Sequence, residues 1–316
     1  MPTPDYRQAI PYRNAIGLQL RSTSALDRGN KTADPICVII DFHTHIFPPE
    51  VRENREEYIR RDVTFAEMYS DPRAKLATSY DLLESMERAE VDVSVALGFA
   101  WADHELIQRH NEYLLESAHR SRGRIIPFAT VNMADERTDI ELERCANAGA
   151  RGLGELRPDS QGWDLLGEPG ERLASHARHR GLILSFHVTE IGGHPYSGKD
   201  GCALIRFHAF ALRFPDLTLV GAHLGGAVYS DYADLAPESD APAVYVDTAA
   251  QPFLYPVDKD PSALTVVPAE RLLFGSDFPL ITQERQIGEI QTALHQPDRK
   301  SAALGQNAAR LLGLPH

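Results

Sequence analysis

From residue 36 onward the chain alternates short, near-continuous apolar runs with stretches whose apolar residues recur at helical spacing. The runs are ICVIIDF (36–42), VDVSVALGF (91–99), RIIPFATV (124–131), ARGLGEL (150–156), LILSFHV (182–188), LTLVGAH (217–223), VYVDTA (244–249) and LLFGSD (272–277). Near-continuous apolar strands are what a parallel sheet covered by helices requires. Between them, Leu82, Leu83, Met86 and Ala89 fall on one helical side. Asp103 is placed to cap a helix bearing Leu106, Ile107, His110, Leu114 and Leu115, and Asp135 one that ends at Gly149. Leu173, Ala174 and Ala177 line a helix ending at Gly181, and Leu204, Phe207 and Phe210 one that stops before Pro215. Two further helices are expected around 284–295 and 301–312.

Eight strands, each followed by a helix or a long loop, predict an α/β fold of the (β/α)8 TIM-barrel type. A doubly wound sheet would have about six strands and a glycine-rich first turn. The first turn here, DFHTHIFPP, has no glycine. Residues 1–34 are polar, contain several prolines and show no periodicity, so they read as an N-terminal arm before a barrel domain over 35–316. The segment 46–79 reads as a long polar first βα loop at the barrel mouth, either a lid or a decoration.

Composition narrows the function classes. The chain has 316 residues, with 32 Lys and Arg against 45 Asp and Glu, a net charge of −13. Such an acidic chain repels polyanions, so no nucleic-acid partner is expected. Three cysteines, an odd number, make no disulfide scaffold and point to a reducing compartment. No run approaches the ~18 apolar residues of a membrane helix, and the N-terminus has no apolar signal core. A cytoplasmic location without membrane association follows as the expectation.

In such a barrel, chemistry gathers at the carboxyl ends of the strands. The endings here are Asp41-Phe42-His43-Thr44-His45, Gly154-Glu155-Leu156-Arg157, Phe186-His187-Val188, Ala222-His223-Leu224 and Gly275-Ser276-Asp277. His43 and His45 are two apart, which on a strand puts both rings on the same face, here the face toward the barrel axis. Neutral imidazoles and carboxylates on one rim are zinc-type ligands. Glu155 also allows a plainer reading, a buried ion pair with Arg151 or Arg157. Cys37, Cys145 and Cys202 lie away from the strand ends, so no nucleophilic role is assigned to them.

The set DFHTH, the fifth-strand His, AHLGG, FGSDFP and the closing QNAARLLGL resembles the signatures of the amidohydrolase superfamily, in the same order. It is closest to the amidohydrolase-related branch that includes aminocarboxymuconate-semialdehyde decarboxylase and aromatic-acid decarboxylases. The resemblance covers residues 36–316. It implies a distorted (β/α)8 barrel with one or two divalent metal ions, most often Zn2+, with Mn2+ or another divalent ion as the alternative. It assigns His43, His45 and His187 as metal ligands. His223 would bind a second metal or orient metal-bound water, and Asp277 would contact the metal and shuttle the proton. Glu155 matches the bridging carboxylate of binuclear members. Family members are often dimers, so a homodimer is an expectation.

The expected activity is hydrolysis of an amide, ester or lactone in a small organic substrate. A divalent ion lowers the pKa of bound water to about 7; Asp277 takes its proton, and His223 helps polarise the carbonyl. The alternative is a metal-dependent decarboxylase of an aromatic or muconate-like acid, using the same residues. Glu155 favours the first. The βα loops offer substrate contacts: Trp101, Arg157, Trp163, His194, Tyr196, Lys199, Phe253 and Tyr255, aromatic and basic groups that suit a small, flat or acidic molecule.

Overall fold

The computed structural model describes residues 38–190, 196–229, 244–256 and 262–315. The predicted arm, and His194 with it, lies outside the described residues. Eight strands form one parallel sheet: β1 (Ile40–His45), β2 (Val93–Leu97), β3 (Ile125–Ala129), β4 (Gly152–Leu156), β5 (Ile183–Phe186), β6 (Leu219–Gly221), β7 (Tyr245–Asp247) and β8 (Leu272–Leu273), hydrogen-bonded in that order. The sheet returns on itself where Phe42 N donates to Phe274 O and His45 N to Phe278 O, both at 2.7 Å, while Asp277 N donates to His43 O at 2.9 Å. All eight expected strands are present, each shorter than its apolar run, and β1 continues past its run as far as His45.

The helices follow the amphipathic spacing. Helices α1 (Pro49–Glu53), α2 (Arg55–Arg61), α3 (Val63–Tyr69), α4 (Ser79–Ala89) and α5 (His104–Arg120) lie within the first 120 residues. The Asp103 side chain accepts from Glu105 N and Leu106 N and so caps α5 as expected. Thr78 and Asp81 form a capping box at α4. One cap differs from expectation: α6 (Thr138–Asn147) starts three residues after Asp135, whose carboxylate accepts from Arg137 N instead. Among the described residues no helix is long and apolar enough to cross a membrane.

The segment 46–79 is not a plain loop. Its sparse aromatics Tyr58, Phe65 and Tyr69 are buried with Phe47, Phe99 and Trp101. Phe65 stacks on Trp101 with ring centroids 5.0 Å apart and on Tyr69 at 4.7 Å. Buried Asp62 caps α3 by accepting from Phe65 N and also accepts from Ala102 N and Asp103 N. That carboxylate locks the first βα segment to the second and fixes the near wall of the barrel mouth. At the other end of the chain, the Asn307 amide donates to Ala269 O and Leu272 O, both at 2.8 Å, and ties the last helix to β8.

Candidate active site

The register of β1 against β2 shifts between Asp41 and Thr44, so Asp41 does not share the face of His43 and His45 and instead meets Ser276 and Gln283. Its fully buried carboxylate accepts from Ser276 N at 2.9 Å, Ser276 Oγ at 2.6 Å and Gln283 Nε2 at 2.7 Å. These bonds hold the start of the eighth βα loop against β1, and so place Asp277. Burial pushes the pKa of Asp41 up to about 6 against those hydrogen bonds. Gly275 lies at this seam, where a Cβ would fall 2.8 Å from the Cβ of His43.

Above the seam the rim residues converge. His43 Nε2 and His45 Nε2 are 3.0 Å apart. Asp277 Oδ1 is 3.7 Å from the first and 3.6 Å from the second. Glu155 sits among four imidazoles: Oε1 is 3.0 Å from His187 Nδ1, 3.7 Å from His223 Nε2 and 3.9 Å from His43 Nε2, and Oε2 is 3.7 Å from His45 Nε2. Glu155 does not pair with either neighbouring arginine. Arg151 donates to Leu312 O, and Arg157 reaches the carbonyls of Gly198 and Asp200. His223 is delivered by an uncommon turn, in which His223, Leu224, Gly225 and Gly226 all adopt left-handed backbone angles. Asp277 also has a positive φ, 59°.

Asp247, at the end of β7, is the functional residue that strand-end reading passed over. It is fully buried. Its Oδ2 lies 2.9 Å from His43 Nδ1, and Oδ1 accepts from His223 N at 3.1 Å and Ala249 N at 3.0 Å. The signal was present in VYVDTA: a lone carboxylate closing an apolar strand on the rim that bears the histidines.

The electrostatics follow from this packing. Burial alone would lower the pKa of His43, but the charges of Asp247, Glu155 and Asp277 outweigh it and hold it up at about 10. Burial and the neighbouring His43 charge push His45 down to about 3. His223 lies well below the usual imidazole range through burial and the proximity of His187. Burial raises Asp277 to about 6. Glu155 stays well below the usual carboxylate range because His187 and His43 overcome its burial.

The residues fit a divalent metal. His43, Glu155 and His223 form one group, and His43, His45 and Asp277 another, each with ligand atoms within 4.8 Å of one another. Nδ1 of His223 is buried without a partner among the described residues. Nitrogen and carboxylate donors without thiolate suit zinc, manganese or a similar ion. A set this buried and this polar is costly unless something charged satisfies it.

A cavity of about 630 Å³ opens onto these groups. Its walls include Met68, Tyr69, Arg73 and Lys75 from the first βα segment, Tyr196 and Gly198 from the fifth, Phe253 and Leu254 from the seventh, and Pro279 and Leu280 from the eighth. Tyr196 and Phe253 thus stand where the loops were expected to put them. Other candidates do not. Trp101 is 1 % exposed and packs inside the aromatic cluster. Trp163 is buried, donating to Gln161 Oε1. Tyr255 lines a separate small void with Tyr229. Lys199 pairs with Glu190 at 3.1 Å, and its carbonyl lies 3.3 Å from His187 Nε2. Arg157 is buried behind Met68, beside the main cavity. In each case cross-loop packing, which leaves no periodic trace, decided the side chain's direction.

Comparison with known proteins gives a consistent picture. A sequence model of the family described as Amidohydrolase matches residues 40–314. Solved structures of similar fold include 5-carboxyvanillate decarboxylase from Sphingomonas paucimobilis, 17 % identical, covering 88 % of this chain and 100 % of that one with a TM-score of 0.64. They also include dihydroxybenzoic acid decarboxylase from Polaromonas sp. JS666 with bound manganese, 15 % identical over 88 % and 97 % of the two chains, TM-score 0.62. A third is the manganese-bound 5-carboxyvanillate decarboxylase of Novosphingobium aromaticivorans, 15 % identical over 88 % and 97 %, TM-score 0.66. At these identities the likeness speaks for the fold. No curated protein sequence matches.

Proposed function

Because the chain belongs to the amidohydrolase family, we propose that this enzyme is a metal-dependent decarboxylase of an aromatic or muconate-like acid. The observation that carries the reading is the placement of Asp277. Its carboxyl, raised to about 6, stands between the His43–His45 pair and a cavity walled by Tyr69, Phe253, Leu254 and Leu280. A carboxyl in that position is placed to exchange a proton with a molecule in the cavity. The fold's similarity to structures named as decarboxylases of dihydroxybenzoate and 5-carboxyvanillate supports this reading over hydrolysis.

His43, His45, His187 and Asp277, with Glu155 and His223 beside them, would hold the metal. When bound, the ion supplies a Lewis acid that orients an oxygen of the substrate and neutralises its charge. The protein does the rest. Asp247 keeps His43 Nδ1–H engaged, so that Nε2 faces the site. The cavity walls at Tyr69, Phe253, Leu254 and Leu280 would seat a ring. The bond between the ring carbon and the carboxylate breaks, its electron pair stays on that carbon, and the Asp277 proton captures it. Overall, one carboxylate and one proton become carbon dioxide and a ring C–H. Asp277 then takes up a proton from solvent.

Hydrolysis is the second reading, and a specific observation favours it: Glu155 at the centre of four imidazoles is where a carboxylate would bridge two ions. The test is to offer metal-loaded enzyme 2,6-dihydroxybenzoate and 5-carboxyvanillate and to measure carbon dioxide. Release that disappears in Asp277→Asn is expected. Turnover of lactones or esters with no carbon dioxide from any aromatic acid would replace the lyase by the hydrolase. Elemental analysis adds an independent line, since about two metal equivalents falling to one in Glu155→Ala would favour the bridged hydrolytic centre.

A further inference from the structure

Arg157 follows β4 and is 1 % exposed. A guanidinium offers five N–H donors. Here Nη2 donates to Gly198 O at 2.9 Å and to Asp200 O. Nε has no partner among the described residues. Nη1 meets only the thioether of Met68, with Sδ at 2.6 Å. No carboxylate among the described residues forms an ion pair with it. Glu155, Glu67 and Asp200 act on its charge from further away, but a buried cation with no anion in direct contact is costly, and a thioether is a weak acceptor.

The surroundings show what is missing. Arg157 borders a void of about 10 Å³, room for about one water. That void shares His45, Met68, Tyr69 and Glu155 with the wall of the main cavity. Met68 is therefore part of the partition between the large cavity and the arginine. Methionine is the most adaptable apolar side chain, with three rotatable bonds. Its seat is shaped by Gly198: the positive φ of 83° favours glycine there, and a Cβ would lie 2.9 Å from Met68 Cγ.

We propose that Arg157 forms an anion subsite, gated by the Met68 side chain, that receives a second acidic substituent of the substrate. Rotation of Met68 joins the void to the main cavity, and an anionic oxygen takes the place of the sulfur at Nη1. That the anion is a retained group rests on the decarboxylase reading above. Pairing Arg157 with the carboxylate that leaves would stabilise the ground state over neutral carbon dioxide and slow the reaction. The substrate class is thus an aromatic acid carrying a further carboxylate or phenolate.

The test is calorimetric titration of the metal-loaded enzyme with isophthalate and with benzoate, which differ by one carboxylate. Isophthalate should bind the wild type about tenfold more tightly, the scale of one charge-assisted hydrogen bond. In Arg157→Gln the preference should vanish while benzoate affinity holds. Arg157→Lys, which keeps the charge, should retain part of it. Met68→Ala leaves Arg157 in place and opens the partition, so isophthalate should bind several-fold more tightly than to the wild type. Equal or absent binding of the two acids by the wild type, or a preference that survives in Arg157→Gln, overturns the subsite. Unchanged isophthalate affinity in Met68→Ala overturns the gate, and this variant still decides if Arg157→Gln does not fold. Carbon dioxide is not read in these titrations, so they succeed or fail independently of the decarboxylase assignment.

Discussion

The indole N–H of Trp101 donates to Nδ1 of His110 at 2.8 Å, and the other ring nitrogen of His110 lies 2.8 Å from the carbonyl of Ile46. The ring is thereby neutral, with its proton on Nε2, and burial lowers its pKa to about 4. Ile46 directly follows His45, a proposed metal ligand, so this pair braces the end of β1.

A pH-dependent stability follows from that pair. The unfolded ring titrates near 6.5 and the folded one near 4. Between those values the unfolded chain binds more protons, so stability is full above 6.5 and is lost as pH falls toward 4. By pH 5 the loss from this group alone is about 2 kcal/mol. His110→Gln removes the titration, so urea unfolding should show a smaller drop between pH 7 and pH 5 than in the wild type. Equal drops in the two proteins would mean that His110 already titrates normally in the folded chain.

Asp247 touches His43, not the proposed metal. Asp247→Asn keeps the shape of the residue but not its charge, and leaves His43 free to turn. Metal affinity measured by chelator competition should fall by roughly ten- to a hundredfold, the usual cost of losing the outer partner of a ligating histidine. An affinity within twofold of the wild type would reduce Asp247 to a holder of the His223 and Ala249 amides.

Asp277→Asn replaces the proposed proton-transfer group by its neutral isostere. Turnover should fall by roughly two to four orders of magnitude, with metal content by elemental analysis close to the wild type. Wild-type turnover in this variant would rule out the mechanism in either its lyase or its hydrolytic form.

Gly275→Ala tests the seam beneath the site. The added Cβ would lie 2.8 Å from the Cβ of His43 and 3.2 Å from that of Asp247. Both are pinned in the barrel, so the expected loss of stability is about 1–3 kcal/mol, as for other overpacked cores, together with weaker metal binding. Thermal melting and chelator competition read the two effects. A variant as stable as the wild type, with intact metal affinity, would show that β8 has room to move away from β1.

Much was legible before any coordinates. Parallel strands buried on both faces must be apolar along their length, so eight such runs announced the barrel. Because all carboxyl ends of a parallel barrel share one rim, His43, His45, Glu155, His187, His223 and Asp277 were candidates for one centre although 234 residues (277 − 43) separate the first from the last. Strand position supplied what sequence distance hid. The tertiary structure decided the rest. Asp247 became the partner of His43 only when β8, paired with β7, closed against β1. Trp101 turned away from the substrate cavity because Phe65 and His110 hold it, and Arg157 was buried because Met68 and the loop at Gly198 close over it. Helix and strand periodicities report which face of an element is covered. They carry no information about which loop packs on which, and these contacts decide which side chains meet the substrate.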